Sequence, residues 1–230
     1  MFFNSDTAPD APFAIAFVGN DGTGKSTMSK AVQKRLAPDS RVRRVDKWDV
    51  LRDDIYPEYA FMGDDLPQLR RCTSNMQETT RTLFLFWTLH GTLKPEVVEG
   101  ADFILLDGYW PKHAASEMRY SGQSGLVREA VKLMPQANLT FYLDLDPAES
   151  WRRRTADPDI PLVPYECGLD PSLSEAAFME HQTAVRNQLV EWSDSYGWHR
   201  IDAARTQDEI CQQVLEIVDQ AVGKKMHVAV

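Results

Sequence analysis

The stretch Gly19-Asn20-Asp21-Gly22-Thr23-Gly24-Lys25-Ser26 constrains this chain more than any other. It fits G-x-x-x-x-G-K-[ST], and it stands between the apolar run Phe13-Ala-Ile-Ala-Phe-Val18 and a segment, Thr27 to Leu36, with few helix breakers. Strand, glycine loop and helix in that order are the context in which this pattern cradles phosphate. The glycines let backbone N–H groups turn inward around phosphate oxygens, Lys25 reaches the outer phosphates, and the Ser26 hydroxyl can ligate Mg²⁺ at a helix N-terminus. Gly19, Asp21, Gly22, Thr23, Gly24, Lys25, Ser26 and Thr27 are therefore read as the nucleotide-binding residues.

With 230 residues and no visible linker, the chain reads as one domain, 1–230, with a polar arm over 1–11. The formal charge of −9 argues against broad, non-specific binding to nucleic acid or anionic membrane, which positive fields grip. No apolar run reaches the length of a membrane span, and the first ten residues lack the basic start and apolar core of a secretion signal. A cytoplasmic protein is expected. Cys72, Cys167 and Cys211 are widely spaced and read as free thiols. His90, His181, His199 and His227 read as surface or filler residues, and no structural zinc site is expected.

Phe13–Val18 has the continuous apolar pattern of a strand buried on both faces of a parallel sheet. Further strands are expected at Arg41–Val45, Phe103–Leu106, Leu139–Leu143 and Trp198–Ile201. Val50 to Arg71 reads as short helices and loops, and Ser74 to Val98 as a long helix with a last turn after Pro95. Pro111 to Gln123 shows no regular pattern. Leu126–Met134 and Ala148–Arg154 read as helices, the latter carrying Arg152-Arg153-Arg154, the densest basic cluster in an acidic chain. Together with the proline-rich Asp157–Pro164 it reads as a lid over about 148–175. Ser172-x-x-Glu175 and Thr206-x-x-Glu209 have the spacing of capping boxes that start two further helices, with a tail over 223–230.

Alternating strands and helices behind a phosphate loop predict an α/β fold of three layers: a five-stranded parallel sheet, helices on both faces and a lid. Ligands then gather at the carboxyl ends of the strands, where the Gly19 loop, Lys47, Asp107 and Arg205 fall.

At this point the sequence resembles the thymidylate kinase family of P-loop nucleoside monophosphate kinases over almost its whole length. The segments that carry the likeness are Phe17–Thr27, Leu93–Tyr109, Phe141-Tyr-Leu-Asp-Leu-Asp-Pro147 and Ile201-Asp-Ala-Ala-Arg205. The resemblance implies phosphoryl transfer from Mg·ATP to an acceptor phosphate. It also implies a role for Asp21 at the acceptor's sugar hydroxyl and for Asp107 beside the metal and the transferring phosphate. Ser26 and Asp107 are then the metal residues. Family members keep the charge-stabilising arginine either in the phosphate loop or in the lid. Position 22 is glycine in this chain, so the resemblance assigns that role to Arg152, Arg153 or Arg154. Arg205 belongs to the last matching segment and is placed with the nucleotide. A homodimer through helices flanking the sheet is ordinary for the family.

Three positions depart from the family pattern. Asp107-Gly108-Tyr109 stands where the family has Asp-Arg-Tyr, Trp87 stands where a base-reading arginine falls, and Asp46-Lys47-Trp48 replaces an arginine-containing turn. Lys47, Trp48, Arg81, Trp87 and Tyr109 are the candidate acceptor residues, with Lys112, His113, Arg119 and Trp110 as further candidates. Trp48, Trp87, Phe84 and Trp110 either form an aromatic slot for a flat ring or pack in the core. The expected activity is Mg·ATP-dependent phosphorylation of a small acceptor, foremost a nucleoside monophosphate with an altered acceptor site. Phosphorylation of a hydroxyl on a nucleoside, modified base or specialised metabolite, and a non-catalytic nucleotide-binding regulator, are the alternatives.

Overall fold

The computed structural model describes residues 11–121, 124–156 and 161–228. Most of the polar arm and part of the proline-rich Asp157–Pro164 stretch lie outside the described residues.

Five strands form one parallel sheet: β1 (Phe13–Val18), β2 (Val42–Asp46), β3 (Phe103–Asp107), β4 (Leu139–Asp144) and β5 (His199–Asp202), in the order β2-β3-β1-β4-β5. All six residues of β1 are buried, because β1 is central in the sheet and covered on both faces. Its alternation divides the core. Ala14, Ala16 and Val18 pack with Phe86, Leu89 and Leu189 on one face, whereas Phe13, Ile15 and Phe17 pack with Met28, Val32 and Val214 on the other. This is the three-layer α/β arrangement of a P-loop kinase. The edge strand β2 is wetter, as its mixed Val-Arg-Arg-Val-Asp sequence requires.

Helices α1 (Lys25–Leu36), α2 (Leu66–Asn75), α3 (Glu78–Gly91) and α4 (Pro95–Val98) lead to β3. Two short 3-10 turns, Lys47–Leu51 and Pro57–Met62, precede α2. The long helix expected from Ser74 is interrupted. Met76 and Gln77 turn extended, with ψ of 143° and 148°, so α2 and α3 are separate helices. Asp65 caps α2 by accepting from the Gln68 amide at 2.8 Å.

The largest difference from expectation is α5 (Trp110–Ser121), which occupies the stretch that reads as irregular. Pro111 sits in its first turn, where the missing N–H leaves no hydrogen bond unmade. The hidden face of α5 is largely polar: Lys112, His113, Ser116 and Glu117 are buried with Ala114 and Ala115. Beside them Trp110, Ala114, Ala115 and Met118 pack into the core.

The chain closes with α6 (Ser124–Lys132), α7 (Pro147–Thr155), α8 (Glu175–Tyr196) and α9 (Gln207–Val228). Ser174, not Ser172, caps α8 through the Ala177 amide. Thr206 and Glu209 make the expected reciprocal cap on α9, with Thr206 N donating to Glu209 Oε2 at 3.0 Å and Glu209 N to Thr206 Oγ1 at 3.4 Å. α9 continues through Gly223, the residue at which the sequence reading begins its tail. Among the described residues, no helix is long and apolar enough to cross a membrane.

Because β1 lies between β3 and β4, the chain leaves its carboxyl end where successive connections diverge to opposite sides of the sheet. The crevice opened there receives the loop that follows β1.

Candidate functional site

The loop after β1 is shaped by glycines in conformations that other residues rarely adopt. Gly22 has φ of +85° and Gly24, which precedes α1, has φ of +89°. Thr23 Oγ1 donates to the Asn20 carbonyl at 3.0 Å, and Lys25 Nζ donates to the same oxygen. Burial pushes the Lys25 ammonium below the ordinary lysine range, with Asp21 acting against that shift. A lysine held on a loop carbonyl can be transferred to phosphate oxygens at the N-terminus of α1, where the helix dipole also favours anions.

At the end of β3, Asp107 is 3 % exposed and its carboxylate is fully engaged. Ser26 Oγ donates to Oδ1 at 3.1 Å, while Ser29 Oγ at 3.1 Å and Arg44 Nη1 at 2.8 Å donate to Oδ2. One hydroxyl and one carboxylate placed together are the oxygen donors Mg²⁺ prefers, and this pair fits an ion whose other ligands are phosphates and water. Arg44 is absent from the sequence reading. β2 pairs with β3 so that Asp46 lies beside Asp107, and Arg44, two residues earlier, shares that face. That period of two was the available signal.

Two adjoining cavities flank the loop. One, of about 530 Å³, is walled by Met28, Leu143, Ala203 and Ile210 together with Arg153 and Arg205. The other, of about 310 Å³, holds Lys47, Trp48, Arg70, Lys112, His113 and Tyr165. Gly22, Gly24, Thr27 and Arg154 border both. The first offers apolar walls for a flat ring with cations at its edge. The second gathers cations where an anionic group can sit.

The three lid arginines separate into different surroundings. Arg152 is largely exposed and pairs with Glu149 at 2.7 Å, outside both cavities. Arg153 shares Glu149 and donates to the Ala203 carbonyl at 3.0 Å. Arg154 is buried against Glu166, at 2.9 Å, between the cavities. Arg70 of α2 meets the same carboxylate at 2.9 Å. Arg70 and Glu166 both escape sequence reading, since they come together only when α2 and the 161–166 segment fold over the crevice.

Asp21 is the one acid of the loop, and it is heavily partnered. Its Oδ2 accepts from Lys112 Nζ at 3.0 Å and from Gln182 Nε2 at 3.0 Å. Burial acts to raise its proton affinity, but Lys112 and Lys25 outweigh that and hold the carboxyl far below the usual carboxylate range. Conversely, burial acts to depress Lys112, and Asp21 with Tyr165 overcomes it, so Lys112 stays charged. Asp46, at the cleft wall, has its proton affinity raised by burial. Burial also drives His113 well below the ordinary histidine range, so its ring is neutral at pH 7.

Several acceptor candidates lie elsewhere. Trp87 and Phe84 pack with each other and with Tyr59 and Phe61 on the outer side of α3, away from both cavities. Tyr109 is buried and donates to the Pro135 carbonyl at 2.9 Å, and Trp110 packs against Trp192 and Trp198. Both serve the core. Arg119 pairs with Glu180 in a largely exposed ion pair. Arg81 is 1 % exposed, donates to Glu117 at 2.9 Å and lies over the Tyr120 ring. Arg81 thus stands behind a separate small cavity lined by Lys47, Lys112, His113, Glu117 and Tyr120, with its Nη2 lacking a hydrogen-bond partner. Lys47 and Trp48 do line the cleft, with the Lys47 ammonium 4.6 Å from the Trp48 ring centroid. His181 is no surface residue. It is buried, stacks on Tyr120 and titrates at about 3 because burial disfavours its charged form.

No family model matches the chain. Curated relatives do. A probable thymidylate kinase of Pyrobaculum aerophilum is 25 % identical over 221 residues, covering 92 % of this chain and 98 % of that protein. A probable thymidylate kinase of Pyrobaculum calidifontis is 24 % identical over 217 residues, 91 % of this chain and 97 % of its own length. A thymidylate kinase of Prosthecochloris aestuarii is 25 % identical over 214 residues, 89 % of this chain and 92 % of that protein. The chain is thus similar to thymidylate kinases over about nine tenths of its length.

Proposed function

We propose that this protein transfers the γ-phosphoryl group of Mg·ATP to a nucleoside monophosphate. The observation that carries the reading is the position of the loop between two cavities, one walled for a nucleotide's base and the other lined with cations. The ATP phosphates lie over the amides of Gly22 to Thr27 with Lys25 on the outer phosphates, and the base occupies the side of Met28, Leu143 and Arg205. Ser26 and Asp107 would hold Mg²⁺, which neutralises charge on the phosphates when bound. Arg154, at the junction, faces the charge that spreads over the transferring group. Lys47, Arg70 and Lys112 take the acceptor phosphate in place of the arginine that Gly108 lacks.

The state of the acids favours a phosphate acceptor over a hydroxyl. A hydroxyl needs a base to take its proton, whereas a monophosphate oxygen attacks as an anion. Asp21 is held unprotonated by Lys112 and Lys25 and is a weak base, and Asp107 is tied to Arg44, Ser26 and Ser29. A panel of nucleoside monophosphates and nucleosides, each scored for ADP release, tests the reading. Stimulation by at least one monophosphate is expected, and turnover with nucleosides alone would overturn it.

A pH dependence follows from Lys47. Burial, together with Lys112 and Arg70, lowers its proton affinity to about 8 despite Asp46. Its charge is full below that value and is lost as pH rises through it. The acceptor's kcat/KM, which reports the free enzyme, therefore falls as pH rises through about 8. Lys47→Arg keeps the charge and removes that limb of the profile; a limb that persists unchanged excludes Lys47 as its source.

A further inference from the structure

Gln182 of α8 carries no charge and has no place in the phosphate chemistry, yet it is wholly buried at the centre of the site. Its Oε1 accepts from the Asp21 amide at 3.2 Å, and its Nε2 donates to Asp21 Oδ2 at 3.0 Å and to the Glu166 carbonyl at 2.9 Å. Its own carbonyl accepts from Asn20 Nδ2 at 3.1 Å. A single planar amide thus grips the loop at residue 21, both backbone and side chain, and the segment that reaches over the crevice at residue 166. Only a primary amide offers two donors and an acceptor in one rigid group.

The consequences for each partner differ. Among the described residues, the side-chain bonds to the Asp21 carboxylate fall on Oδ2, from Gln182 and Lys112, and Asp21 lines the cation-rich cavity. Glu166, held at its carbonyl, carries the carboxylate on which Arg70 and Arg154 meet. The bond to Glu166 and the bonds to Asp21 therefore share one amide group.

We infer that Gln182 is a positioning residue that couples the orientation of Asp21 to the placement of Arg70 and Arg154, so that the acceptor is read only when the arginines are set. The inference rests on the phosphoryl-transfer reading given above, with Asp21 facing the acceptor. It assigns to α8 a role in acceptor selection that neither its apolar face nor its cap discloses.

Two variants and two readouts test it. Gln182→Met keeps length and bulk but removes the bonds. The acceptor KM is expected to rise about tenfold or more while the ATP KM stays within about twofold. Gln182→Glu places a carboxylate against Asp21, with the same loss at alkaline pH. Its deficit shrinks as pH falls, because the protonated carboxyl regains a donor. A merely structural role moves both KM values together and shows no such recovery with pH; either result, or no change in acceptor KM, overturns the inference. Amide hydrogen exchange is the readout that needs no turnover. In Gln182→Met, the Asp21 amide and the Cys167 and Leu169 amides, which close on Pro164, should lose protection together while β1 keeps its own. Loss at Asp21 alone, or at neither, overturns the coupling. If the wild-type protein phosphorylates no monophosphate, the functional reading fails, and the exchange data still decide whether Gln182 joins the two segments.

Discussion

Lys25→Ala is expected to abolish measurable phosphoryl transfer. The ammonium sits at the start of α1 on the Asn20 carbonyl, with Asp21 and Asp107 as its neighbouring negative charges. Alanine leaves the loop amides in place, so nucleotide binding weakens less than turnover. What disappears is a positive charge in a buried crevice, where the proposed transfer would develop charge. Such groups are commonly worth on the order of a hundred- to thousandfold each. Lys25→Arg should not restore activity, since a planar fork cannot occupy the slot of a compact ammonium. The measurement is steady-state ADP release with the best acceptor, beside nucleotide binding by calorimetry. Full activity in the alanine variant removes the phosphate-loop assignment altogether.

Arg154→Ala should lower kcat by on the order of a thousandfold, whereas Arg152→Ala should change it by no more than about threefold. The contrast follows from where the adjacent arginines point. Arg152 projects into solvent on Glu149, and Arg154 lies at the boundary of the two cavities with its guanidinium on Glu166. Arg153→Ala falls between them and acts on the ATP KM, because its partner is the Ala203 carbonyl beside the first cavity. Truncating Arg154 leaves the buried Glu166 with Arg70 and the Val163 amide, which costs stability as well. Thermal melting of the variant must accompany the kinetics, and kcat is referred to folded protein. Equal losses from Arg152→Ala and Arg154→Ala would dissolve the distinction.

The sheet and its loop were legible because their physics is local. Phe13–Val18 could only be a strand covered on both faces, and the glycines at 22 and 24 advertise backbone turns that few other residues tolerate. α5 was not legible, because its apolar stripe, Trp110, Ala114 and Met118, is short and stands among the buried polar residues Lys112, His113, Ser116 and Glu117. The same blindness covered Gln182 and His181 on α8. Trp87 and Tyr109 failed for another reason. Trp87 lies on the helix assigned to it and Tyr109 just after the strand assigned before it, but neither placement says which side faces the crevice, and the partners that decide it, Tyr59 for one and Pro135 for the other, are distant in sequence. Lys47 and Trp48 were recoverable because the carboxyl end of a parallel strand points to the crevice whatever the remaining topology.

Gly22 also bears on how a protein of this kind can change. A Cβ added there would lie 2.5 Å from the Ser150 carbonyl oxygen and 3.3 Å from the Cβ of Arg154, at a backbone φ of +85°. The glycine loop therefore rests directly on α7, the helix that carries Arg154. A loop arginine cannot be gained by one substitution while α7 stays where it is, and α7 cannot withdraw without taking Arg154 with it.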